Sequence, residues 1–320
     1  MATYKEIKGT NIEVLESDPS NPLDGQVWFN STDNVLRGNV GTPVVAWSTV
    51  NSLNQARTST SGAGIATAAL VVGGYSTTNI ADTESWNGSN WTEVNNLNTA
   101  RSSTGSMGTY TAALTFGGSG SPSYLSNTET WNGSNWTEVN DLNSARRALP
   151  GAGTNTAGLA IGGFEPPGTN KVESWNGTNW TETTDLNTPR YASAGAGIQT
   201  AALLIGGAGG TPKTELWNGS NWTEVNDLNQ GREALMGSGV QTSAVAYGGT
   251  TPAGAATESW NGTNWTEVND LNNGRIRAAS AGATNTSALA SGGVPAPGSP
   301  SNVAFAEQFA GLTTKTFTDS

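Results

Sequence analysis

The chain has 320 residues, only 12% of them charged, with 42 glycines and a Ser/Thr/Asn-rich remainder; the twelve tryptophans argue for a packed fold and against disorder. A net charge of -11 repels a phosphate backbone, so nucleic acid is not an expected partner. Histidine and cysteine are both absent, which removes disulfides, thiolate chemistry and the usual zinc, copper and haem ligands; no metal and no cofactor is expected.

In chain order, residues 1–45 stand apart from everything that follows. The start, MATYKEIKGTNIEVLESDPSNPLDG, lacks the apolar core of a secretory signal, and no run of about 18 apolar residues occurs anywhere. Neither export by the usual secretory route nor membrane insertion is expected. Within this segment QVWFN and NVLRG flank STD and read as a β-hairpin. Trp28 and Phe29 on its first strand are candidate anchors, toward the rest of the chain or toward another chain.

From residue 46 the sequence repeats. WNG[ST]NW occurs five times, with its first Trp at Trp86, Trp131, Trp175, Trp217 and Trp260 and its second at Trp91, Trp136, Trp180, Trp222 and Trp265. The spacings of 45, 44, 42 and 43 residues mark an array of supersecondary units. Two other marks recur six times: Gly-Gly after an apolar run, ending at Gly74, Gly118, Gly163, Gly207, Gly249 and Gly293, and an Arg after LN, at Arg57, Arg101, Arg146, Arg190, Arg232 and Arg275. Six units are therefore present. One unit reads as four short strands, for example ARSSTGSMG, TAALTFGG, TETW and NWTEVN, separated by Gly, Asn or Pro. The second strand is nearly all apolar, as in a sheet covered on both faces, and the small residues of the first fit a crowded ring axis. Asn87-Gly88 and its copies supply a tight hairpin turn between the third and fourth strands. The Trp pair is expected to wedge neighbouring units.

These marks, Arg, then Gly-Gly, then Glu with an aromatic two residues on, then Trp, resemble the kelch repeat over roughly residues 46 to 310, with Trp before the turn where the family usually has Tyr. The family's spacing is about fifty residues, so these units are trimmed. The resemblance implies an all-β, six-bladed β-propeller of four antiparallel strands per blade, giving an anchor or hairpin segment over 1–45 and a propeller over 46–320. Closure reads from the ends. VVAWSTVNSLNQAR matches GSNWTEVNNLNTAR, so Trp47 sits at a fourth-strand position with no third strand before it, and the last unit has Glu307 and Phe309 but no second Trp. Either the Trp47 strand completes the last blade, or KTFTDS with Phe317 does.

Chemistry is sparse. The six Arg and the six Glu in register with them (Glu84, Glu129, Glu173, Glu215, Glu258 and Glu307) repeat in every unit, as packing does and an active site does not. They read as ion pairs or backbone ligands that hold register. Asp141, Asp185, Asp227 and Asp270 read as turn or cap residues, one per unit being too few for a calcium site. No non-repeated cluster of acids suggests a glycosidase, and the His and Cys-modified Tyr of copper-oxidase propellers are missing. The chain is expected to be non-enzymatic. In a meander of this kind the turns joining strands one to two and three to four share a face, which is monotonous here; the other face carries loops that differ from unit to unit. Tyr75, Tyr124, Phe164 and Glu165 stand out there as candidate ligand- or partner-binding residues.

The stretch DPSNPLDGQVWFNST resembles leader segments of tailed-bacteriophage virion proteins, and with the Asn-rich blades the chain is similar to marine phage structural proteins. That resemblance implies a virion protein made in the bacterial host cytoplasm, anchored to other virion proteins through residues 1–45, and compatible with a homo-oligomer. Two roles stay open: a tail-fibre or adhesin module that recognises a host-surface glycan or protein, and a structural decoration of capsid or tail.

Overall fold

The computed structural model describes residues 13–17, 27–38, 46–250, 254–296 and 301–310. They fall into two compact units. The smaller holds the hairpin, Val27–Asn30 and Val35–Gly38, with Phe29 opposite Leu36. Its turn is closed by Asn30, whose Oδ1 accepts the N–H groups of Thr32 and Asp33, both at 3.0 Å. A third strand, Glu13–Leu15, pairs in parallel with the first, Glu13 opposite Trp28. Three residues are too short a run to show a period, so the sequence had given no sign of it. Trp28 is buried and Phe29 half-buried.

The larger unit, residues 46–310, is a ring of six four-stranded antiparallel meanders. In the first blade Ser61–Ile65, Ala68–Tyr75, Asn79–Trp86 and Trp91–Val94 run in order from the axis outward. The sixth blade is Ala279–Thr284, Ser287–Ser291, Ala306–Ala310 and then Ala46–Val50, the last strand lying antiparallel to its neighbour with Trp47 opposite Phe309. The strand before the first blade thus closes the ring from the far end; Phe317 lies outside the described residues.

Each Trp pair packs backwards onto the preceding blade. Trp175 and Trp180 bury against Met107, Leu114 and Phe116 of the second blade, and Trp217 and Trp222 against Ala152, Leu159 and Ile161 of the third. Within a pair the ring centroids are 5.1 to 5.4 Å apart and tilted, the offset geometry that indole quadrupoles favour. In the closing blade Trp47 meets Phe309 at 5.1 Å and Tyr247 of the fifth blade at 4.7 Å. The polar ends of the rings are served too. The first Trp of a pair donates its Nε1–H to a carbonyl in its own blade, as Trp175 does to Asn155 at 3.0 Å. The second reaches a buried Thr in the blade before it: Trp136 to Thr83, Trp180 to Thr128, Trp265 to Thr214 and Trp47 to Thr257, at 3.0 to 3.1 Å.

The incoming linker is clamped by one carboxylate per blade. Glu129 takes the Arg101 guanidinium at 2.7 Å through one oxygen and the N–H and side-chain amide of Asn98 at 2.8 Å through the other. The same arrangement joins Glu173 to Asn143 and Arg146, Glu215 to Asn187 and Arg190, and Glu258 to Asn229 and Arg232. Arg57 pairs with Glu84 and Arg275 with Glu307. All six pairs are buried. Burial pulls Arg101, Arg190, Arg232 and Arg275 below the ordinary guanidinium value, against the opposing pull of the paired Glu. The Asn of the LN dipeptide therefore shares the carboxylate with the Arg three residues later.

Gly-Gly has a steric reason. At Gly162 φ is 54°, and a Cβ there would stand 2.4 Å from the carbonyl oxygen of Arg190; the next residue, Gly163, donates its N–H to that same oxygen at 2.9 Å. The contact ties each second strand to the linker entering the following blade, and Gly293 to Arg57 at 2.8 Å completes the circle.

Candidate functional site: the loop-face collar

The repeat marks position a collar around the axis on the variable-loop face. Directly after each linker Arg comes one residue whose backbone meets the residue following Gly-Gly: Thr58 with Tyr75, Ser102 with Ser119, and Arg147 with Phe164 form bridges. Tyr191 accepts from Ala208 at 2.9 Å, and Glu233 from Thr250 at 2.9 Å. One residue further on, Ser59, Ser103, Ala148, Ala192, Ala234 and Arg277 all lie in the left-handed region, with φ between 51° and 55°. Each donates its N–H to the carbonyl of its counterpart in the preceding blade, from Ser103 to Ser59 and round to Ser59 itself, which donates to Arg277; the six bonds span 2.7 to 3.0 Å. A closed hydrogen-bonded belt thus surrounds the axis. Left-handed backbone costs non-glycine residues on the order of 1 kcal/mol each, and the belt is what holds six of them there.

Inside the belt runs an axial channel of about 510 Å³, walled by the first strands of all six blades. Its walls are Gly, Ala and Ser for most of their length, and the charged residues lining it are Arg147, Glu233 and Arg277. The backbone of the collar repeats six times, but its side chains do not.

Over blades two to four the collar carries an aromatic and cationic cluster. The rings of Tyr124 and Phe164 meet edge to face at 5.9 Å, and Phe164 meets Tyr191 in the same way at 4.8 Å. The Arg147 guanidinium lies 5.3 Å from the centroid of Tyr124 and 5.0 Å from that of Phe164, as cation–π contact requires. Its Nε is buried and has no hydrogen-bond partner. Two of the four residues singled out in the sequence, Tyr124 and Phe164, are brought together here. Tyr75 is exposed on the first blade and makes no ring contact with them among the described residues. Glu165 turns away into an exposed ion pair with Lys171 at 3.4 Å. Arg147, Tyr191, Glu233 and Arg277 were not singled out, although a signal was available: they occupy the first and second positions after the repeat Arg, where other units have Thr, Ser, Ala or Ile.

No family model matches the sequence, and no curated protein does. The solved structure of YjhT is similar to this one, with a TM-score of 0.66 over 80% of this chain and 95% of that chain, at 13% sequence identity. The likeness is one of fold. It leaves function to the site itself.

The acids do not assemble elsewhere. Asp141, Asp227 and Asp270 each accept the N–H of the residue opening the third strand, Thr128, Thr214 and Thr257, at 3.0 to 3.2 Å. Among the described residues no group of three or more Asp or Glu is placed to hold a metal ion. The opposite face is built from the NG turns, where Asn87 Oδ1 accepts the N–H groups of Ser89 and Asn90, and Asn95 bridges to Asn135 of the next blade at 2.7 Å. That face is less monotonous than its turns suggest. Ile65, Tyr110, Ile198 and Val240 stand exposed around the far end of the channel.

Proposed function

We propose that the chain is a non-enzymatic, kelch-like virion protein of a tailed bacteriophage whose propeller recognises the host surface through its variable-loop face. The observation that carries this reading is the contrast within the collar: a backbone held rigidly by sixfold bonding presents, at one sector, a half-buried cluster of Tyr124, Arg147, Phe164 and Tyr191 that no other sector repeats among the described residues. Aromatic and Arg side chains on a rigid frame are the residues that dominate recognition energies. Residues 1–45 would anchor the module to other virion proteins, and the leader-like DPSNPLDGQVWFNST supports the phage assignment.

A second reading has an observation of its own. The aliphatic residues Ile65, Ile198 and Val240, exposed around one channel mouth, suit a protein seated on other virion proteins as a capsid or tail decoration. Immunogold labelling of intact particles with an antibody against residues 46–320 separates the two: label at tail or fibre tips supports recognition, and label over the capsid supports decoration. Absence of the chain from purified particles removes the virion assignment. Under the recognition reading, Tyr124→Ser with Phe164→Ser leaves thermal unfolding near wild type and weakens attachment of the purified chain to host cells by about tenfold or more. Unchanged attachment removes that cluster from the site.

A further inference from the structure

The cluster of Tyr124 and Phe164 lies outside the belt, whereas the channel mouth it adjoins is a separate concavity with chemistry of its own. Three features there depart from sixfold repetition. The first is charge: Arg147, Glu233 and Arg277 line a channel whose walls are otherwise uncharged, and the Arg147 guanidinium is turned onto the Tyr124 and Phe164 rings, which leaves Arg277 as the cation of the mouth. The second is an uncommitted cation. Arg277 takes the belt position that is Ser or Ala in the other five blades; its backbone is fixed by bonds to Ala234 and Ser59, and its exposed guanidinium makes no hydrogen bond or ion pair among the described residues. The third is a set of polar residues lining the same channel, Ser59, Ser103, Tyr191 and Glu233, the last with one carboxylate oxygen accepting the Gly209 N–H at 2.9 Å and the other open among the described residues.

We propose that this mouth is a binding pocket for a sugar ring bearing an oxyanion, either a carboxylate or a sulfate. The planar fork of a guanidinium matches such a group through two parallel N–H···O bonds, and Arg277 is the cation free to make them. Hydroxyls of the ring find acceptors and donors in Glu233, Ser59 and Ser103, and the Tyr191 ring offers an amphipathic surface beside them. The mouth opens into the axial channel, whose volume of about 510 Å³ over its whole length falls within the range of small-ligand sites. A neutral sugar would leave Arg277 unanswered, and a cation would face its guanidinium.

The proposal rests on the loop face being a recognition face, and the test separates the two. The 320-residue chain is titrated calorimetrically with glucuronate, with galactose 6-sulfate, with galactose and with inorganic sulfate. Either acidic sugar binds at least about tenfold more tightly than galactose or sulfate, and the stronger of the two identifies the anion. Arg277→Gln lowers that affinity roughly tenfold or more, and Arg277→Lys restores part of it. Because the Arg277 side chain has no partner among the described residues, both variants are expected to unfold at the wild-type temperature. Binding of galactose or free sulfate as tight as that of the acidic sugars overturns the proposal, as does an Arg277→Gln variant that binds like wild type or a failure of both acidic sugars to bind. If the acidic sugars fail but the chain still attaches to host cells, recognition stands without this pocket. If they bind and the chain does not attach, the pocket stands and host recognition falls.

Discussion

At the scale of single residues, the six near-copies act as internal controls, since one blade's departure can be read against the others. In four blades the third strand carries, three residues before its Trp, a buried Thr whose hydroxyl accepts the indole N–H of the following blade. The third blade has Val172 at that place, and the Trp222 Nε1 that would meet it is buried with no partner. A buried donor left unmade costs about 1–3 kcal/mol, while Val and Thr differ little in shape. Val172→Thr is therefore expected to raise stability by about 1 kcal/mol, some 2 °C in melting temperature for a ring of this size. Thr214→Val, which orphans Trp265 in the same way, should lower it by a similar amount. Melting curves for both variants check the pair; a shift of the same sign in both would sink the account. The sixth blade shows another solution: Ala306 replaces the Thr, and Trp91 turns to the carbonyl of Asn51 at 2.9 Å.

At the scale of elements, what was legible in the sequence was whatever a repeat displays. Strand order, the NG turns, the apolar second strand and the Trp pairs all recur, and recurrence reports shared packing. The clamp was half legible: the Arg and Glu could be matched by register, but nothing in the sequence marks Asn143 as part of it, although its N–H and amide sit on the oxygen that Arg146 leaves open on Glu173. The parallel strand Glu13–Leu15 was not legible, because its only repeat is the hydrogen-bond ladder it makes with Val27–Asn30. The Trp pair gives the clearest energetic test of how blades hold one another. Trp180 is buried edge-on against Phe116 of the preceding blade at 4.9 Å and donates to Thr128 there. Trp180→Ala should cost about 3–5 kcal/mol, through a cavity at a blade interface and an orphaned Thr hydroxyl. Denaturant unfolding measures it, and a loss below about 1 kcal/mol would show that the rings are not the wedge.

At the scale of the whole propeller, the site was less legible than the fold for the same reason that the fold was legible. A repeat alignment shows what is shared, whereas Arg147, Tyr191, Glu233 and Arg277 matter because they are not shared; the collar shows that the first three, just before the belt, and Arg277, within it, line one channel. The ring gives those places their fixity, and the ring depends on its closure. The strand Ala46–Val50 joins the sixth blade from the opposite end of the sequence, with Ser48 opposite Gln308 in the ladder and the Asn272 amide donating to the Trp47 carbonyl at 3.1 Å. Nothing covalent holds that strand, and without it both the third strand of the last blade and the Trp47 seat on Tyr247 are exposed, so the free energy of closure is shared by every blade. The native chain has no cysteine, so a cross-link can be introduced without competition. In Ser48→Cys with Gln308→Cys, side chains directly opposite in an antiparallel pair come close enough to bridge. Oxidation closes a loop of some 260 residues, which should stabilise the ring by about 2–4 kcal/mol and be reversed by reductant. Thiol titration and paired melts with and without reductant read both quantities. Efficient bridging with a raised melting temperature would mean that the terminal strand is the lock of the propeller in solution, whereas two free thiols after oxidation would mean that the sixth blade is completed in some other way.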